Sequence, residues 1–141
     1  MTPDALFQIA NPLALLGWVA LVLSPLAPRA ADAVAGVAIP LVLSVGYAGL
    51  VLAFWSGAEG GFGSLAEVQL LFTDPHVALA GWVHYLAFDL FVGAWATRTA
   101  RAERIPHPFL LPCLLLTFLF GPAGFLAFSA LRFTLARKAA A

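Results

Sequence analysis

The chain has 141 residues, 62% of them apolar and only 10% charged, with mean hydropathy +0.97 and a formal net charge of zero. Soluble domains are about 45–50% apolar and about 25% charged, so seven basic and seven acidic side chains cannot screen this much apolar surface from water. No basic cluster alternates with aromatics, which argues against a nucleic-acid partner, and the lone Cys113 excludes an intrachain disulfide and reads as a small packing residue.

The expected fold is all-α, a single polytopic transmembrane bundle of about four helices. A helical crossing takes roughly 20 apolar residues, because each residue rises about 1.5 Å through a core about 30 Å thick. The first span is expected from about Ala5 to Leu23, ending at the Pro25–Pro28 turn. Its leading residues hold Asp4 and no Lys or Arg, unlike a secretory signal, so this stretch is expected to remain in the mature protein. The second span runs from about Val34 to Trp55 and stops at the Gly57–Gly63 stretch. Ser64 and Glu67 then form a capping-box pattern before Leu65, Val68, Leu71 and Phe72 at helical spacing, which predicts a short amphipathic helix on the membrane face. The third span, about Val77 to Thr97, lies between Asp74-Pro75 and the charged stretch Arg98–Arg104. The fourth covers about 109–133, after Pro106-His107-Pro108. Uninterrupted apolar runs of this length oppose barrel strands, which alternate in short segments.

Pro12 and Pro40 stand near span entrances, while Pro112 and Pro122 fall inside the fourth. The block Gly121-Pro122-Ala123-Gly124 should kink or break that helix. Such backbone at membrane depth must be buried in protein or line a cavity, so the break is a candidate cavity wall or a packing kink. Orientation stays open. With four crossings, Arg29, Arg98, Arg101 and Arg104 oppose Arg132, Arg137 and Lys138, whereas re-entry at the Gly-Pro break would gather all of them on one side. The acidic loop with Glu59, Glu67 and Asp74 favours the outside; four crossings is the simpler expectation.

An ionisable residue in a membrane helix is a functional candidate by default, since its charged form is costly there. Asp89, near the middle of the third span, is the foremost case. Placing a carboxylate at a helix centre costs about 2.5–3.5 kcal/mol even on a lenient insertion scale. Tyr85 and Trp82 share its helix face; an Arg or His from another helix is the alternative partner. His84 projects about 140° away from Asp89, so the two flank a shared cavity at best. Glu67 either tips into the bundle mouth or serves the cap. Asn11 reads as interhelical glue or a cavity donor. Arg98 reads as a cap on the third helix or a site residue, and Arg132 as a side chain that snorkels to headgroups. A mixed Zn²⁺ or Fe²⁺ site of His84, Asp89 and Glu67 is chemically open, but no metal-ligand spacing, phosphate loop, nucleophile elbow or dinucleotide fingerprint is present, and no cofactor is expected.

The run from Ala80-Gly81-Trp82-Val83-His84-Tyr85 through Phe88-Asp89-Leu90-Phe91 to Gly93, followed by Ile105-Pro106-His107 and by Pro112-Cys113-Leu114-Leu115-Leu116-Thr117 through Gly121-Pro122-Ala123-Gly124, resembles the abscisic-acid-deficiency-type (neoxanthin synthase-like) membrane proteins. The opening Leu6-Phe7 through Asn11 to Gly17-Trp18 is similar too. Plant members are needed in plastids to turn violaxanthin, an epoxy-carotenoid, into the allene neoxanthin. The chain shows no Ser- and Arg-rich transit peptide, so the resemblance implies a bacterial member in the inner membrane, with its substrate open. It departs from the family where an acid often stands near Arg98; here the chain reads Arg98-Thr99-Ala100-Arg101. Opening an epoxide to an allene is redox-neutral and needs an acid and a base, for which Asp89 and His84 are the candidates, with Glu67 beside them. Asn11, Trp82, Tyr85, Phe88, Phe91, Phe120 and Arg98 are the candidate binding residues for a carotenoid or related isoprenoid. The expected partners are membrane lipid, an apolar substrate or pigment, and a further copy of the chain. The rival readings are a non-catalytic pigment or lipid binder or assembly protein, and an intramembrane metal-dependent lipid hydrolase.

Overall fold

A computed structural model describes residues 1–139, with side chains through residue 135. Helix α1 (Pro3–Val22) starts at Thr2, whose hydroxyl accepts the Ala5 N–H at 3.3 Å, with Pro3 at the first helical position. Helix α2 (Pro28–Gly57) contains a π-turn at Val34–Ala38 and ends in a 3-10 turn at Trp55–Gly57. It therefore begins well before the expected Val34, because Pro28 opens a helical turn that Arg29 and Asp32 join. Helix α3 (Leu65–Leu71) has Ser64 as N-cap, its hydroxyl accepting the Glu67 N–H at 3.2 Å. Helix α4 (Pro75–Ala102) is capped by Asp74, whose carboxylate accepts the N–H groups of His76 and Val77 at 2.8 and 3.1 Å. It runs past the expected end at Thr97, which puts Arg98 inside a helix. Helices α5 (His107–Phe120) and α6 (Pro122–Ala139) complete the described chain, which is all-helical and contains no strand among the described residues.

Three of these helices, α1, α2 and α4, are long and apolar enough to cross a membrane, which marks the chain as a membrane protein. Helix α4 is the central one: 56% of its most apolar stretch is buried, against 28% in α1 and 22% in α2. Ala87, Gly93, Ala94 and Ala100 lie within its buried faces, small residues that leave room for neighbouring helices. Close packing of small residues is what holds helices together where the solvent is as apolar as the side chains.

The segment expected to be a fourth crossing is instead a hairpin. Helix α5 has 14 residues, so it is about 21 Å long and falls short of a core about 30 Å thick. Helix α6 then doubles back. Phe125 and Phe128 both pack on Trp95 in the second half of α4, with ring centroids 5.5 Å away in each case. Further on, Arg132 pairs with Glu103, its Nε donating to Oε2 at 2.8 Å, and its guanidinium lies 5.8 Å from the Trp95 ring centroid. Glu103 precedes α5, so the hairpin begins and returns at one end of the bundle. Gly121 makes the reversal, with φ +28 and ψ −84, in the left-handed half of backbone space that glycine tolerates. Gly124 allows it to close, because a Cβ there would overlap the Thr117 backbone.

This arrangement puts Arg29, Arg98, Arg101, Arg104 and Arg132 at one end of the bundle and Asp4, Glu59, Glu67 and Asp74 at the other. Arg132 ends in an ion pair rather than reaching freely for headgroups. Two acids serve as partners at the basic end: Asp32 for Arg101 (2.5 Å) and Glu103 for Arg132. The side chains of Arg137 and Lys138 lie outside the described residues. The hydrogen bond from Arg132 holds the Glu103 carboxyl below its usual range. Its contribution is therefore present above the unfolded carboxylate's value and is lost as acid protonates the folded group, and exposure keeps it small. The topology has a direct test. With Cys113 replaced by Ser, Arg104→Cys and Thr134→Cys should react with a membrane-impermeant maleimide from the same side, and Gly61→Cys from the opposite side.

Candidate functional site

The midpoint of α4 carries Asp89, 8% exposed. Its carboxylate lies against the hairpin turn: a Cβ on Gly121 would overlap Oδ1 and come within 2.9 Å of Cγ. Gly121 is thus required twice, by its backbone angle and by the acid packed on it. Oδ2 of Asp89 is the one fully buried side-chain oxygen or nitrogen among the described residues that has no hydrogen-bond partner. Such atoms are rare in folded proteins, where buried polar groups are almost always satisfied.

One turn earlier on the same face is Tyr85. Its hydroxyl donates to the Phe118 carbonyl at 3.4 Å, a long bond, and is close enough to interact electrostatically with Asp89. That carbonyl is available because it belongs to the last turn of α5, where carbonyls lose their intrahelical partners. Trp82 stacks on Tyr85 at 5.3 Å, and its indole N–H donates to Asn11 Oδ1 at 2.9 Å. Asn11 in turn donates from Nδ2 to the Phe7 carbonyl at 3.0 Å. Asn11 is therefore glue between α1 and α4, and the bond fixes the Trp82 ring that backs Tyr85. Phe120, 62% exposed, precedes the hairpin turn.

Below Phe118, an apolar groove of about 670 Å³ separates α1 from α5, lined by Leu15, Trp18, Val22, Leu111, Leu115 and Phe118 among others. One end is bridged by a ring nitrogen of His107, 2.9 Å from the Val22 carbonyl, and the other by an edge contact of Trp18 with Phe118 at 5.5 Å.

The remaining expected site residues lie elsewhere. His84 is exposed on another face of α4, where its ring meets Tyr47 at 5.5 Å and stacks on Phe88 at 4.6 Å. It borders a cavity of about 310 Å³ with Trp55, Phe62 and Phe72, walled by α2, α4 and the α2–α4 connection. The angular separation on one helix accounts for this, since five residues carry a side chain to a different neighbour. Phe88 and Phe91 line a cavity of about 290 Å³ beside Pro40 and Ser44 of α2. Glu67 serves its own loop, Oε2 accepting the Gly63 N–H at 3.0 Å, so it closes the α3 cap and does not tip into the bundle. Arg98 packs against the π-turn of α2 and makes no capping bond. No three His, Cys, Asp or Glu side chains among the described residues gather as a metal site, and the His84–Asp89–Glu67 set is dispersed.

Sequence reasoning thus placed Asp89, Tyr85 and Trp82 on one face but missed the groups that meet them, Gly121 and the Phe118 carbonyl. The Gly-Pro block was the available signal for Gly121; no side-chain pattern reports a backbone carbonyl.

A family model described as ABA DEFICIENT 4-like matches residues 5–128. The chain belongs to the ABA DEFICIENT 4-like family. The matched stretch reaches from α1 past the Gly121 turn into α6, so Asn11, Trp82, Tyr85, Asp89, Phe118 and Gly121 all belong to the family domain. Comparisons with curated proteins and with solved structures return no match.

The contact at the turn of this ABA DEFICIENT 4-like chain yields a coupling experiment. Gly121→Ala should destabilise by about 1–3 kcal/mol through backbone strain, with further loss from overlap with the carboxylate. In an Asp89→Ala background the overlap disappears and the strain remains, so the cost should fall without vanishing. Thermal unfolding of the four proteins in detergent measures this, and strict additivity would mean that the two residues do not touch.

Proposed function

We propose that this protein is a redox-neutral intramembrane isomerase acting on a carotenoid or related isoprenoid, with Asp89 as the proton-transferring group and Tyr85 as its partner. The observation that carries the reading is the free Oδ2 of Asp89, buried half-way along the central helix at the turn of a broken one. Irregular backbone at such depth, next to an ionisable side chain, is where membrane proteins build their sites. The substrate class is carried over from the resemblance to the neoxanthin synthase-like proteins, with which membership of the ABA DEFICIENT 4-like family is consistent.

The chemistry needs no co-reactant. Oδ2 accepts a vinylic proton, the electron pair forms the new cumulated double bond, the epoxide C–O bond breaks, and the oxygen takes a proton from Tyr85. The proton on Asp89 then restores Tyr85, so atoms and electrons balance within the substrate. Tyr85 replaces His84 as the second group, because Tyr85 shares the Asp89 face and His84 does not. Trp82 and Phe120 offer aromatic surface to a polyene, and the α1–α5 groove offers room for its chain. In a bacterial inner membrane, the positive-inside rule places the arginine-rich end in the cytoplasm.

The groove also favours a second reading, in which the protein only holds a pigment or lipid. Expression of variants in a pigment-producing host, with products resolved by chromatography, separates the two. Asp89→Asn should abolish conversion, Tyr85→Phe should lower it by about 10²–10⁴-fold, and His84→Ala should retain it. Conversion by Asp89→Asn at the native rate would end the catalytic reading. Copurified but unchanged pigment in every variant, native included, would support the binder.

A further inference from the structure

Among the described residues, the basic end of the bundle contains one partly buried cation that its surroundings do not explain. Arg98 is partly buried, and no hydrogen bond or ion pair to it occurs among the described residues. The two acids at this end are already engaged, Asp32 by Arg101 at 2.5 Å and Glu103 by Arg132. A guanidinium has five donors, and leaving them idle while part of the group is withdrawn from water is unfavourable.

The chain nevertheless accommodates this group. In α2 the π-turn Val34–Ala38 shifts the backbone ladder by one residue, so that the Ile39 N–H reaches back five residues to the Val34 carbonyl. Gly36 lies in that turn, and a Cβ there would overlap Nη1 of Arg98. Ala94, one turn before Arg98, borders the same gap with another small side chain. Single π-turns are uncommon and recur at functional sites. Together, the turn and the glycine form a notch in α2 that fits the head of Arg98.

Depth identifies what meets it. Arg98 is nine residues beyond Asp89 along α4, or about 13 Å. If Asp89 marks mid-depth, that places the Arg98 backbone just inside the headgroup boundary of a core with a half-thickness of about 15 Å, with the guanidinium somewhat deeper, beside Gly36 and Ala94. Arg29 and Arg104 are on the same end without an ion-pair partner among the described residues, so the local field is positive. Guanidinium pairs with phosphate in a two-pronged fashion that an ammonium cannot match.

We propose that the Arg98 notch is a binding site for the phosphate of an anionic glycerophospholipid in the leaflet at the basic end. This site is on the α2–α4 side of the bundle and is independent of the Asp89 chemistry. The lipid supplies the counter-charge that the chain does not, and the α2–α4 packing gains a lipid clamp.

The test uses the full chain in nanodiscs of phosphatidylcholine with or without phosphatidylglycerol, reading both thermal stability and the lipid retained in native mass spectrometry. The native protein should be stabilised by phosphatidylglycerol and retain it. Arg98→Gln should lower retention about fivefold, the loss expected for one basic group at the surface, and remove most of the stabilisation. Gly36→Ala, which keeps every charge but fills the notch, should give a similar loss and carries the test if Arg98→Gln does not fold. Arg98→Lys should recover part of the binding, and Arg104→Gln should have a clearly smaller effect. Equal losses in Arg98→Gln and Arg104→Gln would overturn the site in favour of diffuse surface charge. Equal stabilisation by inorganic phosphate in pure phosphatidylcholine discs would overturn the lipid in favour of a soluble anion. Native retention by Gly36→Ala would show that the notch does not matter.

Discussion

The contact between the Asp89 carboxylate and the Gly121 backbone links the architecture of this protein to its chemistry. A hairpin that stops half-way through an apolar medium must place its exposed backbone groups against protein or a cavity. Here the turn is set against an acid at the midpoint of the central helix. Glycine at 121 permits both the reversed backbone and the approach, and Gly124 lets the two arms meet at Thr117. Once the chain reverses there, Arg132 returns to Glu103 and the aromatic side chains of α6 cover Trp95. The charges separate to the two ends as a consequence of the same turn.

Helix α4 divides the labour between its faces. One face carries Trp82, Tyr85 and Asp89 toward α1 and the hairpin, where polar atoms are few and nearly all are paired. Another carries His84 and Phe88 toward α2 and the acidic loop, among aromatic rings. Further along, Arg98 meets the irregular turn of α2. A 28-residue helix, longer than a straight crossing requires, has room for a mid-depth acid and an interfacial cation on separate faces.

Much of the helical content was legible in the sequence, because apolar run length and turn residues are local signals. Ser64 and Glu67 marked the start of α3, and Asp74-Pro75 marked the start of α4. The Asp89–Tyr85–Trp82 face followed from helical periodicity alone. The path of the chain beyond Gly121 was less legible. A Gly-Pro block announces irregular backbone but does not encode the angle at which the chain leaves it. The decision lies in non-local contacts, Trp95 with Phe128 and Glu103 with Arg132, whose partners are more than 25 residues apart in the chain (29 for the ion pair). The π-turn was invisible for a similar reason: Val34–Ala38 reads as ordinary apolar helix, and its irregularity becomes apparent only where Arg98 packs against Gly36. The chemistry of His84 and Asp89 invites pairing them, whereas their spacing turns them toward different neighbours, His84 to Tyr47 and Phe88 and Asp89 to Gly121.

The last apolar segment turns back at Asp89 rather than crossing the membrane. Cysteine cross-linking in native membranes, with Cys113 replaced by Ser, tests it most directly. In the hairpin the rings of Trp95 and Phe128 are 5.5 Å apart, so Trp95→Cys with Phe128→Cys should cross-link readily under mild oxidation. In a straight crossing, position 128 would lie about 10 Å beyond Gly121 and position 95 about 9 Å on the other side of Asp89. Efficient 95–128 cross-linking with none for the Trp82→Cys and Phe128→Cys pair is the predicted result; the reverse pattern would contradict it.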